Sequence, residues 1–150
     1  MEKNTLRIAV DFDGTIVEHK YPAIGREMLF AFETLRQLQK KGHTLILWTY
    51  RTGEDLREAV EYCRKNGIEF YAVNKNHPEE SDAWSDAIPR KLDVDLFIDD
   101  RNVGGFIGWG EIWQTLHPES GELKHQFKNP DAHNNFPQQQ NKSIWKKLFS

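Results

Sequence analysis

The chain has 150 residues, a formal net charge of −3 and a single cysteine, Cys63. That length allows one domain with a sizeable core, the mild negative charge gives no general attraction to nucleic acid or anionic lipid, and one cysteine excludes an internal disulfide and a cysteine-rich zinc site. The opening MEKNTLR lacks the apolar run of a signal peptide and no window approaches 18 apolar residues, so the expectation is a cytoplasmic protein that does not span a membrane.

Leu6 to Val10 is a nearly continuous apolar run, as in a strand buried on both faces. It runs into Asp11, Phe12, Asp13, Gly14 and Thr15. Residues 25–42 read as a helix, with Met28, Phe32, Leu35 and Leu38 at helical spacing and Gly42 as its stop. Residues 44–48, TLILW, form a second buried strand that ends at Thr49. Residues 52–67 form a second helix, with Leu56, Ala59, Val60 and Cys63 on one face. Thr52 and Asp55 have the spacing of a capping box, and Gly67 that of a C-cap. Strands at 68–73 and 94–98 follow, separated by a polar, irregular stretch at 74–90; the last strand ends in Asp99 and Asp100. A short helix over 106–116 packs Phe106, Ile112 and Trp113. Strands alternating with helices predict an α/β, doubly wound, Rossmann-like and mostly parallel sheet with helices on both faces.

In such a sheet, ligands bind outside the carboxyl ends of the strands. Asp11 and Asp13, Thr49, and Asp99 and Asp100 all fall at those ends, and Lys91 lies just before the last strand. Residues i and i+2 of an extended segment point the same way, so Asp11 and Asp13 share a site while Phe12 turns to the core. Carboxylates crowded together repel, and burying them unpaired costs several kcal/mol each. A hard divalent cation resolves this, and an all-oxygen donor set suits Mg²⁺ rather than zinc or copper. Lys91 and the Thr49 hydroxyl are then available for phosphate oxygens. One of Asp11 and Asp13 can act as nucleophile, forming an aspartyl-phosphate, and the other as acid and base.

These residues resemble the haloacid dehalogenase-like superfamily, in its phosphatase branch. The resemblance rests on D-F-D-G-T at 11–15, L-I-L-W-T ending at Thr49, Lys91, and I-D-D at 98–100, in that superfamily's order. It implies that Asp11 is the nucleophile and Asp13 the general acid and base. It implies that Thr49 and Lys91 bind the phosphate. It also implies Mg²⁺ held by Asp11, Asp99, the main-chain oxygen of Asp13, and Asp100 directly or through water. The superfamily's transport ATPases carry Lys where Asp13 stands, and its dehalogenases lack this acid, so Asp13 points to a phosphoester. Lys75 and Arg90 are rivals to Lys91, which is preferred for its closeness to the last strand. Tyr50 and Arg51, beside Thr49, and Arg101, after Asp100, would flank the substrate, with either arginine gripping a second anionic group. The triplet Asp99-Asp100-Arg101 also resembles the phosphatase halves of polynucleotide kinase-phosphatases.

About ten residues follow D-F-D-G-T before the first helix, and residues 74–90 are too few for a domain, so no cap domain is expected at either usual insertion point. An open site suits a macromolecular phosphoester or a small substrate enclosed by a neighbouring subunit, with Trp84 as a stacking surface. The catalytic domain is expected over 1–127. Residues 128–142 read as a polar tether, and SIWKKLFS as a short amphipathic segment that docks on the domain or makes a homo-oligomer. The six histidines show no metal-ligand spacing, and His117, His125 and His133 read as solvated loop residues. Cys63, Trp48, Trp109 and Trp113 read as packing residues. A signalling receiver domain would place its phosphorylated Asp after the third strand, where this chain has Asn74. The expected activity is Mg²⁺-dependent phosphomonoester hydrolysis through Asp11. The alternatives are a non-catalytic binding module on the same fold and a phosphotransferase.

Overall fold

The computed structural model describes residues 4–118 apart from Trp84. Trp84, His125, His133, the 127/128 boundary and the closing segment lie outside the described residues. Four short strands, β1 (Arg7–Val10), β2 (Thr44–Leu47), β3 (Ala72–Val73) and β4 (Leu96–Ile98), form one all-parallel sheet in the order β3-β2-β1-β4. Among the described residues three helices are interspersed: α1 (Ala31–Lys40), α2 (Gly53–Lys65) and α3 (Trp109–Leu116). The chain winds outward from β1 through β2 to β3, then crosses back to place β4 on the other side of β1. The fold is therefore of the expected α/β, Rossmann-like class, and its winding reverses at β1. A ligand crevice is expected at that reversal, beyond the strands' carboxyl ends. No helix among the described residues is long and apolar enough to cross a membrane.

Alternation along the strands divides the core. Ile8, Val10, Leu45 and Leu47 point to one face, where they meet Phe32, Leu35 and Leu38 of α1, Ala59 and Cys63 of α2, and Ile112 and Leu116 of α3. Ala9, Ile46 and Ala72 point to the other, where a smaller cluster is completed by Leu92 and Val94. Helices were expected on both faces. Among the described residues, the three helices cover the first face and the irregular segment between β3 and β4 covers the second.

Element boundaries moved where pairing overrode periodicity. The first helix starts at Ala31 rather than residue 25, because the chain after D-F-D-G-T folds back on itself. Val17 bridges Glu27, the Glu18 N–H donates to the Arg26 carbonyl, and the Met28 N–H donates to the Ile16 carbonyl. Phe30, at φ 65°, turns the chain into α1, and a Glu27 carboxylate oxygen accepts from the Phe32 N–H at 3.1 Å. Thr52 is the N-cap of α2, yet its side chain makes no capping hydrogen bond, so the predicted capping box is not formed. Gly67, at φ +84°, does follow the end of α2, with the Ile68 N–H returning to the Cys63 carbonyl.

Cys63 is fully buried, and burial pushes its thiol up to about 12. The native protein is therefore expected to resist a thiol reagent such as DTNB at pH 8 and to react once per chain on unfolding in urea.

His117 is not the solvated loop residue that was expected. Its ring stacks on Trp113, and its Nε2 lies 2.9 Å from Nε2 of buried His43. His43 Nδ1 accepts from the Leu6 N–H at 2.9 Å, which places the His43 proton on Nε2, donating to His117. Burial, then the neighbouring His117, push His43 down to about 4, while Asp95 acts the other way. Burial and then Lys41 lower His117 as well. Between about pH 4 and 6.5 the unfolded chain binds a proton that the native His43 does not. Its contribution to stability is therefore full above about pH 6.5 and lost as pH falls to about 4, roughly 3 kcal/mol over the window. Urea midpoints at pH 7 and pH 4.5 are expected to differ more for the native sequence than for His43→Gln.

Candidate active site

The parallel ladder carries the site residues to one end of the sheet. The Asp11 N–H donates to the carbonyl of Ile98, the last residue of β4, at 2.9 Å. The Trp48 N–H donates to the carbonyl of Val10, the last residue of β1, at 2.8 Å. Asn74, just past β3 and at φ 55°, accepts the Thr49 N–H on its side-chain oxygen at 2.8 Å. Four strand ends are thus tied together, and a cavity of about 530 Å³ opens in front of them. Asp11, Asp13, Thr49, Tyr50, Asp99 and Arg101 line it, all named from the sequence. His19, Tyr21 and Trp48 complete the wall.

Asp11 and Asp13 do not share one environment. The carboxylates of Asp11, Asp99 and Asp100 gather with oxygens within 4.8 Å of one another. The Thr15 hydroxyl donates to Asp11 Oδ2 at 3.0 Å. Burial, then the Asp100 carboxyl and the Asp99 charge, push Asp11 up to about 8; the Phe12 N–H and the Thr15 hydroxyl act in the opposite direction. Asp100 Oδ1 is buried with no hydrogen-bond partner among the described residues. An orphaned buried oxygen beside two more carboxylates is what a bound cation would satisfy. The donor set is all oxygen and fits a hard divalent cation.

Gly14 makes the cluster possible. It sits at φ +82°, and a Cβ there would lie 2.2 Å from Asp100 Oδ2. The loop above is pinned from beneath: the Phe12 carbonyl accepts from the N–H groups of Thr15, Ile16 and Val17, and Trp109 Nε1 donates to the Thr15 carbonyl at 2.8 Å. Trp109 thus packs as expected and also anchors the site loop to α3.

Asp13 is held by Arg51. The guanidinium is fully buried and bonds both Asp13 oxygens at 2.7 Å. Arg51 was expected to face substrate; instead it lies behind Asp13, and it does not line the cavity. The main-chain N–H of Arg51 donates to the Thr49 hydroxyl oxygen at 3.2 Å, leaving that hydroxyl's proton free to point into the cavity.

Lys91 is a second correction. It is exposed and absent from the cavity wall. The residues after it, Leu92 and Val94, plunge into the second-face cluster. Asp93 and Asp95 then contact Arg7 at the start of β1, which lies at the opposite end of the sheet from the strand ends. The rivals fare no better: Lys75 pairs with Asp82 at 3.1 Å, and neither it nor exposed Arg90 lines the cavity. The cationic side chain at the wall is Arg101, whose main-chain N–H donates to Asp99 Oδ1 at 2.9 Å.

Sequence reasoning gave no individual role to Thr15, Asn74, His19 or Tyr21. Asn74 carried a usable signal: Asn directly after a strand favours a left-handed turn. Trp48 was read as core and does pack on the second-face cluster, but it also faces the cavity.

No protein-family model matches the chain, and no curated protein does. A solved structure described as a conserved protein from Bacteroides thetaiotaomicron is 59% identical, with a TM-score of 0.69; the match covers 75% of this chain and 90% of that one. At that identity and coverage, the chain belongs to the same family as that conserved Bacteroides thetaiotaomicron protein.

Proposed function

We propose that the chain is a Mg²⁺-dependent phosphomonoester hydrolase of the haloacid dehalogenase-like type, without a cap domain. The observation that carries this reading is the Asp11, Asp99 and Asp100 cluster, with its unpartnered buried oxygen, at the point where the sheet's winding reverses.

In this reading Asp11, Asp99 and Asp100 hold the cation. When bound, the ion neutralises the carboxylates and polarises the phosphoryl group. The Thr49 hydroxyl donates to a phosphoryl oxygen, and the Arg101 guanidinium pairs with another. The Asp11 carboxylate attacks phosphorus; the phosphorus–oxygen ester bond breaks, and Asp13 gives the leaving oxygen its proton. Asp13 then takes a proton from water, which attacks the aspartyl-phosphate, releases inorganic phosphate and regenerates Asp11. Asp11 and Asp13 therefore divide the work by environment: one in the acidic cluster, the other in an ion pair with an edge open to the cavity.

The test is hydrolysis of p-nitrophenyl phosphate with Mg²⁺ and with EDTA. The expected result is turnover that requires the metal, together with Mg²⁺-dependent inhibition by beryllofluoride, a mimic of the aspartyl-phosphate. Turnover unaffected by EDTA, or none with either this ester or an alkyl phosphate, would overturn the reading.

A further inference from the structure

We propose that Arg51 is a positioning residue for proton transfer, which clamps the Asp13 carboxylate rather than gripping substrate. The inference rests on the phosphatase reading and assigns a role within that site.

The guanidinium has five N–H donors, and the structure accounts for all of them. Nε donates to Asp13 Oδ2 at 2.7 Å. Nη2 donates to Asp13 Oδ1 at 2.7 Å and to the Ala23 carbonyl at 2.9 Å. Nη1 donates to the Pro22 carbonyl at 2.8 Å and, more weakly, to the Asp55 carbonyl at 3.4 Å. The faces are occupied too, since the ring centroids of Phe12 and Tyr21 lie 5.0 and 5.2 Å from the guanidinium carbon. No donor is left for an incoming anion.

A buried arginine so completely bonded could be a simple staple between the loop after D-F-D-G-T and the start of α2. Its choice of partner argues for more. Of the acids at these strand ends, Arg51 takes the one outside the Asp11, Asp99 and Asp100 cluster. Asp13 keeps 12% of its side chain exposed and lines the cavity. A bidentate fork fixes the plane of a carboxylate, because rotation breaks both hydrogen bonds together. Each oxygen of Asp13 retains a second lone pair, so the clamped group can still exchange a proton on its open side. Arg51 therefore sets which edge of Asp13 meets the leaving oxygen. A lysine, with a single point of charge, would hold Asp13 without fixing its plane.

The experiment compares two esters in the native sequence, Arg51→Lys and Asp13→Asn. Nitrophenolate leaves without needing a proton, whereas an alkoxide does not. For Arg51→Lys, kcat on β-glycerophosphate is expected to fall roughly 100-fold and on p-nitrophenyl phosphate less than about 5-fold. KM and the Mg²⁺ half-saturation are expected to stay close to the native values. Asp13→Asn is expected to show the same ester preference, and the double variant no further loss on β-glycerophosphate. Millimolar guanidinium added to Arg51→Ala is expected to recover part of the alkyl-ester activity. Equal losses on both esters, or a raised Mg²⁺ requirement, would reduce Arg51 to a staple. A raised KM at unchanged kcat would make it a substrate contact. Should Arg51→Lys fail to fold, Arg51→Gln, whose planar amide still donates, provides the same two-ester comparison. Native protein inactive on both esters would overturn the phosphatase reading and this inference with it. An ester-blind loss in an active enzyme overturns this inference alone.

Discussion

Asp11→Asn is expected to abolish phosphate-ester hydrolysis while making the metal-free protein more stable. The amide cannot act as the nucleophile, so kcat should fall by roughly 10³-fold or more. The stability change has the opposite sign because Asp11 sits in a desolvated cluster of like charges, with its carboxyl pushed up to about 8. Between the ordinary carboxylate value and pH 8, the native group keeps a proton that the unfolded chain has released. Stability from this group is therefore fully present at low pH and lost as pH rises toward 8. At pH 7 the penalty is on the order of 4 kcal/mol. Asparagine cannot ionise, yet remains a buried polar group that loses acceptor capacity, so the net gain should be about 1–2 kcal/mol, or roughly 5 °C in Tm. Melting curves in EDTA check this. His43 imposes the opposite slope below about pH 6.5, so the Asp11 effect is read between pH 6.5 and 8. Mg²⁺ should recover most of the lost stability of the native sequence at pH 8 and little of Asp11→Asn. Cation binding should also tighten as pH rises toward 8, since it displaces a proton from the cluster.

Gly14→Ala should be the most damaging small substitution at the site. A Cβ on Gly14 has no room: Asp100 Oδ2 would be 2.2 Å away and Asp100 Cγ 2.7 Å. The φ of +82° adds a backbone penalty of about 1–2 kcal/mol for any residue with a side chain. The obvious relief is to move Asp100, which breaks the cluster. Loss of at least about 10-fold in cation affinity, a comparable or larger loss of activity, and about 2 kcal/mol or more of stability are expected. Gly104→Ala is the control. Gly104 has a similar φ of +94°, but nothing among the described residues lies within 4 Å of its Cβ position. It should therefore show the backbone penalty without the loss of cation binding. Equal cation affinity in the two variants would mean that Asp100 is not a ligand.

Much of this architecture was legible because hydrophobic runs are a local signal. The apolar blocks ending at Val10, Leu47 and Ile98 mark three neighbouring strands, and in a parallel sheet the residues that follow must gather at one end. The convergence of Asp11, Asp13, Thr49, Asp99 and Asp100 follows from that rule alone. Gly67 and Cys63 were legible for similar local reasons, one as a helix stop and the other as part of an apolar face.

What only the tertiary structure decided concerns partners distant in sequence. The first helix lost its opening turns to pairing between residues 16–18 and 26–28, and periodicity does not report such pairing. His117 looked solvated until α3 carried it to His43, 74 positions away. Lys91 shared the motif order of a phosphate ligand, but where a long side chain ends depends on how its segment is anchored. Here Leu92, Val94 and the Arg7 contacts draw that segment to the far end of the sheet. Arg51 shows the limit most plainly: an arginine beside a site in sequence is equally able to face ligand or back an acid. The choice was made by Asp13 and three backbone carbonyls, because a buried guanidinium must satisfy every donor it has. Local chemistry, then, determined which residue types stand at the strand ends. The folded chain determined which of them reach the cavity, since burial and hydrogen-bond satisfaction are properties of the surroundings and not of the residue.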